Sequence, residues 1–66
     1  MNIGKSIRIA LINNNMKSKD LAAKLGVLPP KVSILCGKTT CSGKMLDQLC
    51  AAFEMKASDF VALGES

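Results

Sequence analysis

Two adjacent prolines, Pro29 and Pro30, interrupt a chain whose other segments carry apolar residues at helical spacing. A proline is tolerated in the first turn of a helix, where its missing N–H has no intrahelical acceptor anyway, and is excluded from the interior. Any helix that includes this pair must therefore start at it. Shortly upstream stands Gly26, the residue type best suited to the left-handed conformation that stops a helix. The segment DLAAKLGVLPPKVSILCGK, residues 20–38, is thereby confined to two short helices with a brief break between them.

The rest of the chain follows the same period. Ile3, Ile7, Ala10 and Leu11 fall on one face of a first helix predicted over Ile3–Asn14, and Asn15 is suited to stop it. A second helix is expected over Ser18–Leu25, with Leu21, Ala22 and Leu25 inward. A third is expected from near Pro30 to near Cys36, with Val32 and Leu35 inward. Ser42 is a suitable N-cap for a fourth helix reaching Phe53, with Leu46, Leu49, Cys50 and Phe53 on its inner face. A fifth covers about Ala57–Leu63, with Phe60 and Leu63 inward. No segment alternates with period two, so no sheet is expected. The fold class is all-α, a compact bundle of five short helices in a single domain over residues 1–66. Apolar residues make up 48% of the chain and only Phe53 and Phe60 are aromatic, so the core must come mainly from aliphatic side chains.

Charge is unevenly distributed. Residues 1–44 hold eight of the nine basic groups and one acid, Asp20, whereas residues 45–66 hold Lys56 against Asp47, Glu54, Asp59 and Glu65. A basic part of +7 joined to an acidic part of −3 suits a polyanionic partner on one side of the molecule. Cys36, Cys41 and Cys50 form no C-x-x-C pair, and the chain has no histidine, so no zinc site is expected and the thiols read as reduced. Paired catalytic acids and a phosphate loop are also missing, and no base accompanies the thiols, which argues against an enzyme. The early apolar run IRIALI contains Arg8 and is too short for a secretory leader, and no stretch reaches the ~20 apolar residues of a membrane span. A cytoplasmic protein is expected.

Two short helices joined by a glycine turn make a helix-turn-helix. DLAAKLGV followed by Val32-Ser33 resembles the signature of the lambda-repressor-like, Cro/repressor family of phage and bacterial regulators. Leu21-Ala22 stands at that family's mid-helix pair, Gly26 at its turn glycine and Val27 at the apolar residue after it. Gly37-Lys38-Thr39 is similar to the loop after the recognition helix, and LDQLCAAFEMKASDFVAL to the last two helices. The resemblance covers essentially the whole chain. It departs at Lys17-Ser18, where the family has Thr-Gln, and at Leu28, where the family often has a capping Ser or Thr. The loop before Met45 is also one residue longer than usual, and the stretch Ser33–Gly37 one shorter.

The resemblance implies a sequence-preferring, double-stranded DNA-binding transcriptional regulator of phage or prophage type. It would act as a homodimeric repressor that covers a promoter, with no cofactor, metal or small-molecule ligand. Carried over by position, Lys17, Ser18, Lys19, Lys31, Lys38 and Thr39 would meet DNA phosphates. Pro29, Pro30, Ser33 and Ile34 would face the groove, where only Ser33 has a hydrogen-bonding side chain. Readout should then rest on apolar contact with thymine methyls, on Lys31 and on DNA shape. Arg8 and Lys5 read as plain surface charges. Val61 and Leu63 are the candidate dimer seam. If the third helix starts at Pro30, Pro29 takes the cap position and the amides of Lys31, Val32 and Ser33 are free to hold a phosphate. The alternative is that the prolines only stiffen a turn. A reading from another class is a helix-turn-helix scaffold used as a protein-interaction module, such as an antitoxin or anti-repressor.

Overall fold

A computed structural model describes residues 2–65 and contains five helices, with no strand among the described residues. They are α1 (Ile3–Asn13), α2 (Ser18–Leu25), α3 (Pro29–Cys36), α4 (Gly43–Phe53) and α5 (Ala57–Leu63). Two of the helices start on a side-chain cap. Asn2 caps α1 by accepting the Lys5 N–H on its side-chain oxygen at 3.0 Å. Ser42 caps α4 by accepting the Met45 N–H on its hydroxyl at 3.2 Å. At α2 the Asp20 carboxylate reaches back to the Lys17 N–H at 3.0 Å, half of a capping box, since a lysine side chain cannot accept in return.

Three helices end in the same way. Asn15 (φ 53°), Gly26 (φ 71°) and Glu54 (φ 55°) adopt the left-handed conformation after α1, α2 and α4. In each case the next amide turns back onto the last helical turn: Met16 N–H to the Leu11 carbonyl at 2.8 Å, Val27 to Ala22 at 3.0 Å, and Met55 to Cys50 at 2.9 Å. Asn14, expected inside the first helix, is its C-cap. The left-handed Glu54 was not foreseen, because glutamate carries no sequence signal for that conformation.

The apolar stripes meet in one core. Ile3, Ile7, Ala10 and Leu11 of α1 pack with Leu21 and Ala22 of α2, Val32 and Leu35 of α3, Leu49, Cys50 and Phe53 of α4, and Phe60 of α5. Phe53 and Phe60 stack with ring centroids 6.0 Å apart. Leu25, Leu46 and Leu63, expected inward, are half-buried against this cluster. α1 packs on α3 and α5, and α2 packs on α3 and α4, so α3 lies between α1 and α2 with one long side open. Ser6 was not expected inside. Its hydroxyl is fully buried and has no hydrogen-bond partner among the described residues.

The start of α3 corrects one expectation. Pro29 is helical and occupies the first position, Pro30 the second, and the extended Leu28 (ψ 148°) is the N-cap, with no side-chain hydrogen bond. The restriction on a residue before proline is a preference rather than a prohibition. In a first turn the second ring meets no carbonyl four residues back, so both prolines fit.

Candidate nucleic-acid interface

The open side of α3 follows from its inner side. Val32 and Leu35 are buried, and Cys36 is half-buried next to them. At 3.6 residues per turn, the opposite stripe is Pro30, Ser33, Ile34 and Gly37, with Pro29 and Lys31 on its flanks. All six are exposed. The outer stripe is nearly as apolar as the inner one: Ile34 is 54% exposed, and Leu28, just ahead of the helix, is 76% exposed. Ser33 supplies the only side-chain hydrogen-bonding group on the stripe itself.

Exposed cationic groups lie before, within and after α3 along the chain. Lys17, Ser18 and Lys19 lie at the start of α2, Lys31 in the first turn of α3, and Lys38 and Thr39 just beyond its end, all exposed. The single acid in the segment, Asp20, already accepts the Lys17 amide. Two other cations hold backbone carbonyls: the Lys24 ammonium donates to the Ala52 carbonyl at 3.4 Å, and Arg8 Nε donates to the Gly4 carbonyl at 3.4 Å.

The phosphate site expected on the amides of Lys31, Val32 and Ser33 does not form. With the helix beginning at Pro29, its first two residues have no N–H at all. The Lys31 N–H donates to the Leu28 carbonyl at 2.9 Å. Val32 is completely buried, and Ser33 sits past the first turn, where amides serve the helix itself. The prolines thus remove backbone donors from this end instead of presenting them.

The end of α3 is equally distinctive. Gly37 has φ −89°, so the chain does not turn back on itself. Instead the Lys38 carbonyl accepts the Gly4 N–H at 2.7 Å and the Thr39 carbonyl accepts the Ile3 N–H at 3.1 Å. These are the first two amides of α1, which would otherwise lack acceptors. Sequence reasoning missed this junction. The available signal was Gly4 itself, an unfavourable residue in an otherwise apolar-striped helix.

The three cysteines are free thiols, Cys50 buried and Cys36 and Cys41 half-buried. Burial pushes Cys36 up, partly offset by the Arg8 charge; burial pushes Cys41 up; and burial, Asp47 and Cys41 together push Cys50 up. All three are therefore protonated near neutral pH. Among the described residues no cluster of metal-ligating side chains occurs, and no helix is long and apolar enough to cross a membrane.

A family model described as the Cro/C1-type HTH DNA-binding domain matches residues 6–64. No curated protein matches the chain.

Proposed function

Since the chain belongs to the Cro/C1-type helix-turn-helix DNA-binding domain family, we propose that it is a sequence-preferring regulator of transcription that lays the outer stripe of α3 in the DNA major groove. The observation that carries this reading is an exposed, acid-free stripe, Pro30, Ser33, Ile34 and Gly37, on a helix-turn-helix that also exposes Lys17 and Lys19 at the start of α2, Lys31 in α3 and Lys38 just beyond it. Ser33 can hydrogen-bond to any base, whereas Ile34 and the proline rings can pack only on thymine methyls. Recognition rests on A·T-rich shape and methyl contacts more than on a hydrogen-bond code. Ser18 and Thr39 add hydroxyls to the phosphate contacts.

Four lysines on phosphates correspond to a salt slope of about −3.6 per protomer. In the full reading the protein is a phage or prophage-type repressor, acts in the cytoplasm, binds as a homodimer and occludes a promoter. Val61 and Leu63 are half-buried in the single chain, and the exposed remainder of that α5 face is what a second copy would cover. Selection of bound sites from a random duplex pool at two salt concentrations tests the reading. Enrichment of A·T-rich sites and a steep loss of binding at the higher salt are expected.

A second reading has one observation in its favour. Leu28 and Ile34 are large, exposed and apolar, which also suits a protein partner. Under that reading the selection enriches nothing at either salt concentration.

A further inference from the structure

We propose that Gly4, far from the helix-turn-helix in sequence, is a positioning residue for DNA binding: by having no side chain it lets the start of α1 clamp the Lys38–Thr39 segment beside the exposed face of α3. The inference rests on the reading of that face as the DNA-contacting one.

The other internal junctions show why a clamp is needed. α1, α2 and α4 each end in a left-handed residue and return the following amide to their own last turn. Those ends are self-contained. α3 has no such ending, and its Gly37 and Lys38 amides make only short-range bonds to Ile34 and Leu35, at 3.1 and 3.1 Å. Nothing within the α3 segment itself therefore sets the direction in which Lys38 and Thr39 leave the helix. Direction comes from α1. The Asn2 side chain occupies the Lys5 amide and leaves those of Ile3 and Gly4, which take the carbonyls of Thr39 and Lys38.

Dipoles add to the junction, since the positive end of α1 meets the negative end of α3. The fit is close. A Cβ on Gly4 would lie 2.8 Å from the Lys38 carbonyl oxygen and would collide with the Cys36 carbonyl oxygen. Both are backbone atoms, so neither can swing aside as a side chain would. Any larger residue must push the end of α3 and the following segment away from α1. Lys38 and Thr39 are exposed there, so the displacement falls on groups placed at the phosphates.

The test is a double-mutant cycle on the full chain, with Gly4→Ala, Lys38→Ala and the pair. Each variant is titrated with the selected duplex and with a random-sequence duplex at several salt concentrations, under conditions where circular dichroism shows it folded. Gly4→Ala is expected to lower the salt slope by about one unit on both duplexes, as loss of one phosphate contact should. Lys38→Ala is expected to do the same, and the pair to be no weaker than Lys38→Ala alone.

A chain carrying an ester in place of the Ile3–Gly4 amide covers the case in which Gly4→Ala fails to fold. It removes the N–H without adding a Cβ, and it too should lower the slope. Additive losses in the cycle, or an unchanged slope in the folded ester chain, would overturn the positioning role while leaving the DNA-binding reading intact. If the unmodified chain binds neither duplex, that reading falls and takes this one with it.

Discussion

α3 and α4 are both helices that follow a loop, and they solve the problem of their orphan amides in opposite ways. α4 supplies an acceptor, the Ser42 hydroxyl, to an amide that needs one. α3 deletes the donors, with prolines at its first two positions, and spends the next on the Leu28 carbonyl. A hydroxyl cap satisfies a helix end that faces ordinary solvent. A donor-free end leaves a surface that is apolar and rigid, and that makes few hydrogen bonds with whatever it meets. The two helices also differ at their far ends, where α4 closes on itself through Glu54 and α3 closes on α1.

The most drastic way to probe the comparison is to remove the inner anchors. Leu35→Ala in α3 and Leu49→Ala in α4 should each cost about 2–5 kcal/mol, because both side chains are buried and leave cavities. That is a large share of the stability of so small a domain. Denaturant unfolding should show the two losses to be similar. A much smaller loss for Leu35 would mean that α3 is held by its ends and not by the core.

The caps should show the next largest effect. Ser42→Ala should cost about 1 kcal/mol, the usual worth of a hydroxyl cap. Leu28→Ser, which offers α3 the same hydroxyl, should gain well under about 0.5 kcal/mol, since the first turn has no spare amide for it to hold. A gain near 1 kcal/mol in thermal unfolding would contradict the donor-free description.

The helix ends sharpen the contrast further. Gly26→Ala should cost about 1 kcal/mol, because φ is 71° there and an alanine is strained in that conformation. Gly37→Ala should cost nothing and should add roughly 0.4–1 kcal/mol, since φ is −89° and the added Cβ meets the Ile34 and Ser33 carbonyl oxygens at an ordinary 3.5 and 4.0 Å. A costly Gly37→Ala would show that the α3 end is not in the right-handed conformation described.

The smallest effect concerns the thiols. The pKa of each is raised by burial above the ordinary 9.0, so the folded state holds its protons longer than the unfolded chain. Stability from this source is fully present below the unfolded value and is lost as pH rises through the folded ones. Unfolding midpoints should therefore be insensitive to the thiols between about pH 6 and 8 and should decline only above about pH 9.

Much of this architecture was legible because short helices announce themselves through apolar spacing and stop residues. The inner stripes of all five helices, the Ser42 cap and the stops at Asn15 and Gly26 were read from local pattern alone. The one-residue error at Pro29 came from treating the pre-proline preference as decisive when the first turn of a helix relaxes it. Leaving the Lys31–Ser33 amides free was a consequence of that error. Glu54 in the left-handed region and Ser6 in the core were not legible, since neither residue type signals such a place. The outer face of α3 was implied by the family resemblance, whereas the bonds that hold its far end depend on a residue thirty-odd positions away.

Those bonds between residues 3–4 and 38–39 have a consequence for how the molecule assembles. Joining them closes a loop of about 35 residues, which costs roughly 3 kcal/mol of chain entropy. The α2–α3 pair can form early from neighbouring contacts, but the end of α3 stays unanchored until the first residues of the chain have docked. A fragment holding only the two motif helices should therefore lack a settled structure at that end. The helix-turn-helix should then be complete only once α1 has docked on the end of α3.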